Sequence, residues 1–325
     1  MHTEDERQLA ADLLDKYGGE VDDYFKLWPK DKLYFFSSDG KAFLAYGIKY
    51  HVAACLFDPV GNKGSIEKLM IEFRDHCHRH HLGIIFIQTT SKYDSIYKKI
   101  GLHRILIGAD AMINIDDFLS TTIKNKYFRN ISNRFSKINY HLETAKPPHS
   151  DKIMRELQSI SDDWANLPYH KEWNFLTGRF SKDYFKDLDL YILRDDKNKA
   201  VAFANGLPAY RKNAATIDLI RRRRDSLPNS IDYLFIEIMR SLQTRDNVHH
   251  FNIGLSPIDA QLFASSLLEK TVIAFYRSSY RFVGFKGLHQ FKSKYKPEWE
   301  PRYCYYSGNV AGLTLKGLAI FKLML

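Results

Sequence analysis

Two stretches of this chain carry the same order of elements without sharing a sequence. In the first, LYFFSS (33–38), KAFLAYGI (41–48) and YHVAACLFD (50–58) read as strands, rich in aromatic and branched residues. Asp39-Gly40 marks a tight hairpin turn between the first two. Pro59 and Gly61 break the run. SIEKLMIEFRDHCHRHH (65–81) follows, with Ile66, Leu69, Met70 and Phe73 on one helical face and Ser65 as its expected cap. GIIFIQT (83–89) is then a buried strand, and a helix over 92–99 and a strand over 102–115 complete the stretch. In the second, LYILRDD (190–196), KAVAFANGL (199–207) and AATIDLI (214–220) are strands and Pro228 is the break. SIDYLFIEIMRSLQ (230–243) is a helix with Ser230 as cap, and HHFNIGL (249–255) is a strand. The offset between the two stretches is about 160 residues. A chain in this order builds two α/β units with mixed sheets, as duplication of one unit would give.

The order also sets the expected boundaries. Residues 1–117 form the first unit and 148–306 the second. Between them, 118–147 reads as a basic connecting helix, with six Lys or Arg against one acid, Glu143, up to Lys146. Pro147-Pro148 closes it. The tail, 307–325, contains VAGLTLKGLAIFKLML, apolar on most faces and interrupted by Lys316 and Lys322. That run is too short to span a bilayer, and two readings stay open: docking on the chain's own core, or lying at a membrane interface.

Charge narrows the class of partner. The formal net charge is +10, which favours nucleic acid or an anionic membrane surface. Cys55, Cys77 and Cys304 are odd in number and widely spaced, which fits a reducing cytoplasmic compartment rather than a disulfide framework. The polar, acidic start MHTEDERQLA does not read as a secretory leader. HCHRHH (76–81) places His76 with His80 and Cys77 with His81 on helical faces, but no further ligand motif converges with them. No metal and no cofactor is expected.

Strands, a break, a helix and a strand resemble the GNAT acyltransferase order. Most GNAT proteins cradle acyl-CoA with an Arg/Gln-x-x-Gly-x-Gly/Ala loop that opens a helix. The two break points here, FDPVGNKGS and RRRRDSLPNS, lack that pattern. An acyl donor carried by something larger than CoA is therefore expected. The strings YFKLWPKDKLYFFSSDGKAFLAY, FDPVG, ISDDW, EWNFLTGRF, TIDLIR, SIDYLF, FNIGLSP and GLHQFKSKYKPEWEPRY occur in that order. As an ordered set they resemble the cytosolic catalytic region of the phosphatidylglycerol lysyltransferase (multiple peptide resistance factor) family. The resemblance runs from about residue 24 to 306.

That resemblance implies two tandem GNAT-like units and transfer of an aminoacyl group from charged tRNA to phosphatidylglycerol. Lysyl leads, and alanyl is also found in the family. Such transfer alters membrane surface charge and resistance to cationic antimicrobial peptides. It implies a cytoplasmic protein, peripheral at the inner face of the membrane, and in a longer protein an N-terminal membrane-spanning flippase region. Two other functions stay open: transfer to a peptidoglycan precursor, and an inactive module that only binds tRNA or anionic lipid.

The site residues follow from the matched strings. Asp218 and Arg221 lie at the end of a predicted strand in the string assigned to the active site. Asp218 then orients or deprotonates the attacking hydroxyl, or binds the donor's α-amino group, and Arg221 holds a phosphate. Lys294 is expected as a catalytic or oxyanion-facing cation. Lys292, Arg302 and Arg222 are expected on phosphate, with Glu300 pairing to fix Arg302. Glu172, in the same string as Gly178 and Arg179, is the candidate to select a lysyl ammonium. Residues 287–303 as a whole are expected to fold back to the mouth near Asp218, with Trp299 and Tyr303 packing or stacking on the terminal adenine.

Overall fold

The computed structural model describes residues 3–167, 172–244, 248–256 and 285–324. Helix α1 (Glu4–Tyr17) precedes β1 (Leu33–Phe36), β2 (Ala42–Lys49), β3 (Val52–Gly61), α2 (Lys63–Arg79), β4 (Gly83–Thr89), α3 (Asp94–Lys99) and β5 (His103–Asn114). Then come α4 (Ile115–Ser120), α5 (Lys126–Lys137), β6 (His141–Ala145), α6 (Asp151–Ala165), α7 (Lys182–Phe185), β7 (Leu190–Arg194), β8 (Ala200–Leu207) and β9 (Ala214–Arg222). Helix α8 (Ser230–Gln243), β10 (His250–Ser256), α9 (Phe285–Ser293), β11 (Glu298–Tyr306) and α10 (Val310–Met324) complete the described chain. Every element expected in the two repeated stretches is present. The helix starts differ slightly: Asn62, not Ser65, caps α2 by accepting the Gly64 N–H, and Asn229 precedes α8.

Among the described residues the strands form one mixed α/β sheet in the order β1-β2-β3-β4-β11-β5-β10-β9-β8-β7-β6. The pairs β3–β4 and β10–β9 are parallel and the rest antiparallel. The two repeated stretches thus supply the two halves of one sheet. Strand β11 departs from their simple succession. It follows β10 in sequence yet pairs along its length with β5 and at its far end with β4. Tyr305 and Tyr306 bury there because the strand is walled on both sides.

The basic stretch 118–147 is shorter as a helix than its sequence extent. Helix α5, capped by Asn125, turns Phe128, Ile131 and Phe135 onto a core shared with α8, and β6 then forms a sheet edge. A second core lies on the other sheet face. It runs through both halves, joining Leu56, Ile85 and Ile105 to Leu157 of α6, Leu190, Phe203 and Ala319 of α10. Asp218 and Arg221 work on this second face; α8 covers the first.

Candidate active site

Strand β9 runs parallel to β10 only over Ala214–Thr216, opposite His250–Asn252. That ladder does not continue to Asp218. On its other side, β9 carries an extra residue: the register steps from Ala204↔Ile220 to Gly206↔Ile217, and Asn205 Oδ1 accepts the Leu219 N–H at 2.9 Å inside the bulge. A regular strand puts residues three apart on opposite faces. The bulge cancels that alternation, so Asp218 and Arg221 both meet the same loop, residues 172–184.

The loop holds Asp218 by two donors on one oxygen. The Gly178 N–H lies 2.8 Å and the Tyr184 hydroxyl 2.6 Å from Oδ2. Burial pushes the Asp218 carboxyl up to about 6, against the opposing pull of Tyr184, Gly178 and Arg221. Burial beside Asp218 also holds the Tyr184 phenol well above its usual range, so it remains a donor. Tyr184 lines a cavity of about 310 Å3 with Trp28, Glu172, Arg179 and Phe180. The carboxylate therefore lies one hydrogen bond behind the cavity wall.

The corresponding aspartate of the first half is closed off. Asp58 also sits where a parallel ladder ends and a register shift occurs. It accepts the Thr90 N–H at 2.9 Å, the Thr90 hydroxyl at 2.6 Å and the Tyr97 hydroxyl at 2.9 Å. Those three donors use both of its oxygens. The duplicated position thus has three donors on both oxygens in one half, and in the other two donors on one oxygen, one of them the Tyr184 hydroxyl of the cavity wall.

Arg221 is enclosed by partners from its own chain rather than open to a phosphate. It is 2% exposed, its Nη2 donates to Glu172 Oε1 at 2.6 Å, its Nη1 donates to Ser161, and its guanidinium lies 4.5 Å over Trp164. Burial opposes ionisation of Glu172, but the hydrogen bonds from Arg221 and the Phe180 N–H hold its carboxyl below the usual range. Arg179 reaches the same carboxylate at 3.6 Å and keeps half of its side chain exposed at the cavity. Arg222 is exposed and turned onto its own loop, donating to the Arg223 carbonyl and Ser226.

The 287–303 segment does not converge on Asp218. It forms α9 and β11. Lys294 lies on the α8 side of the sheet, ion-paired with Asp232, 3.0 Å from the Tyr127 hydroxyl, and against the Phe291, Tyr127 and Tyr295 rings. An aromatic cage with its own carboxylate is a structural anchor, so the catalytic role expected for Lys294 is not supported by its position. Arg302 is equally enclosed: Asp110 at 2.8 Å, Glu20 at 3.4 Å and Asp22 at 4.0 Å surround it. Glu300 does not fix it; both Glu300 oxygens take Arg211 Nη1 at 2.7 Å instead. Lys294, Glu300 and Arg302 each found a partner from a distant part of the chain. Trp299 packs against His289, and Tyr303 lies under Arg104. Lys292 is the member nearest the opened strands, donating to the Leu255 carbonyl of β10 at 2.8 Å.

Tyr184, Ser161 and Trp164 were not singled out by residue chemistry. Ser161 and Trp164 lie in the ISDDW string, which was the available signal. Gly178 has a steric reason to be glycine: a Cβ there would lie 2.1 Å from the Tyr184 ring. Gly178→Ala is expected to displace Tyr184 from Asp218 and lower stability by about 1.5–3 kcal/mol, the loss of one hydrogen bond to a charged group. Urea unfolding of Gly178→Ala beside Tyr184→Phe checks this; a Gly178→Ala protein as stable as wild type refutes it.

Comparison with known proteins supplies the rest. The family described as "Phosphatidylglycerol lysyltransferase, C-terminal" matches residues 11–306. The phosphatidylglycerol lysyltransferase of Bacillus subtilis is 31% identical over 307 residues, covering 94% of this chain and 35% of the relative. The chain thus spans about a third of the length of the curated relatives it matches. The structure of L-PGS from Bacillus licheniformis superposes with a TM-score of 0.85 at 28% identity, over 98% of this chain and 96% of that one. The C-terminal domain of a putative lysylphosphatidylglycerol synthetase from Agrobacterium fabrum gives 0.84 at 28% identity, over 99% and 97%. With its whole two-half fold matched, and nearly all of its sequence, this chain belongs to the phosphatidylglycerol lysyltransferase C-terminal family.

Proposed function

We propose that the chain transfers a lysyl group from lysyl-tRNA to the glycerol headgroup of phosphatidylglycerol. The observation that carries this reading is Asp218, a carboxyl raised to about 6 at an opened strand end beside a cavity, in a chain of this family. In the reaction, the terminal glycerol hydroxyl gives its proton to the Tyr184 hydroxyl as that hydroxyl passes its own to Asp218, and the glycerol oxygen attacks the aminoacyl ester carbonyl. The bond from that carbon to the ribose oxygen of the tRNA breaks, and the proton passes to the ribose oxygen. One ester replaces another, so the demands are orientation and proton transfer. Glu172, on the cavity wall and held ionised, receives the lysyl ammonium. Arg179 and Arg222 meet phosphate. The product headgroup changes from net negative to net positive because lysine carries two ammonium groups.

The test uses labelled lysyl-tRNA and alanyl-tRNA with phosphatidylglycerol vesicles, followed by lipid extraction. Label from lysyl-tRNA in the lipid supports the reading. Label from alanyl-tRNA alone would reassign the amino acid, and binding of both substrates without labelled lipid would refute transfer. The same assay yields a pH profile. Asp218 must be ionised to accept a proton, so kcat/KM is expected to fall about tenfold per pH unit below about pH 6. A rate flat down to about pH 4.5 would remove Asp218 as the base.

A further inference from the structure

Helix α10 has two apolar sides. One is docked on the second core, with Ala319 buried and Leu313, Ile320 and Leu323 packed against it. The other is open: Leu315, Leu318 and Phe321 are 50%, 54% and 47% exposed. A spacing of three puts them in one stripe, and the exposed Lys322 falls within it. The helix, VAGLTLKGLAIFKLM, contains no acid.

The turn between β2 and β3 runs beside this helix. A Cβ on Gly47 would meet Leu323, and one on Gly83 would meet both Lys316 and the His51 carbonyl. That turn adds Lys49, which alternates to the same face as Gly47, and the exposed Tyr50. The result is an apolar face rimmed by cations. A second copy of this chain would bring lysine against lysine there. A bilayer of anionic phospholipid instead takes the apolar side chains at its acyl boundary and the lysines at its headgroups.

The face is also tied to the candidate site. The Asn174 N–H donates to the Met324 carbonyl at 2.7 Å, and the Trp173 and Phe321 rings lie 5.9 Å apart. The end of α10 therefore braces the loop that carries Glu172 and Gly178. We propose that the exposed face of α10, with the β2–β3 turn, is the surface by which this protein rests on an anionic phospholipid membrane, bringing the 172–184 loop to the headgroups. The proposal deepens, and its placement of the site rests on, the reading of phosphatidylglycerol as acceptor.

Vesicle flotation tests it, with vesicles of phosphatidylglycerol and phosphatidylcholine in equal parts and of phosphatidylcholine alone. Leu315→Ser/Leu318→Ser is expected to lower partition onto the mixed vesicles at least about tenfold. Lys49→Glu/Lys322→Glu, at exposed positions, is expected to lower it on mixed vesicles and not on phosphatidylcholine. Transfer to vesicle phosphatidylglycerol falls in parallel, while transfer to a short-chain phosphatidylglycerol below its micelle concentration stays at the wild-type rate. Flotation of both variants like wild type overturns the proposal. So does loss of the short-chain activity with an unchanged unfolding midpoint, or a loss of self-association with flotation unchanged. Wild type that floats, and whose flotation the variants abolish, but which labels neither form of lipid, supports the docking face while refuting the acceptor reading.

Discussion

Asp218→Asn is expected to lower kcat/KM for transfer about a thousandfold while leaving the protein at least as stable as wild type at neutral pH. The two halves of that expectation come from one cause. In the fold, the Asp218 carboxyl is raised from the ordinary 3.8 to about 6 chiefly by burial. A group with a raised pKa adds stability below its unfolded pKa, and that contribution is lost as pH rises through the folded value. At neutral pH the ionised form is therefore a liability that Asn does not carry. Asn still accepts from the Gly178 N–H and the Tyr184 hydroxyl through its amide oxygen. The gain in unfolding midpoint of Asp218→Asn over wild type should be near zero at about pH 4 and grow up to about pH 7. Thermal unfolding across that range measures it. A variant destabilised at every pH would show that Asp218 serves the fold and not the reaction.

Arg302→Met is expected to destabilise the fold by about 3–5 kcal/mol near neutral pH, the cost of leaving buried charge unpaired. Arg302 is the only described cation paired with Asp110, Asp22 and Glu20, and Asp110 and Asp22 are both buried. Even with the guanidinium present, burial and then Asp110 raise the Asp22 carboxyl to about 8. Removing Arg302 takes away the attraction that lowers Asp22 and Glu20, and so raises both further. By the same sign rule, protonation then restores stability as pH falls, so the penalty should be smaller at about pH 5 than at about pH 8. Urea unfolding at both values checks it. A penalty that does not change with pH would assign the loss to packing of the arginine stem.

Much of the fold was legible from local pattern. Strand alternation, helical spacing and two proline breaks located the repeated elements to within a few residues. Asp218 and Arg221 were legible only as members of a matched string, since a strict two-residue period puts them on opposite faces. What joins them is a bulge, set by Asn205 on the neighbouring strand, and no feature of TIDLIR announces it. The 287–303 segment was misread for a related reason. Lys294 and Arg302 resembled a ligand strip because their partners, Asp232, Asp110 and Glu20, lie far off in sequence. Charge in a sequence does not reveal whether the fold has already neutralised it.

Strand β11 fills the gap between β4 and β5, which leave the ribosome long before it does. A nascent chain ending at Asn114 holds two strands whose facing edges wait for a partner some 180 residues downstream. During synthesis those edges are unpaired and open to foreign strands. The sheet's midline can close only late, so premature termination yields a species prone to aggregation rather than a shorter working protein.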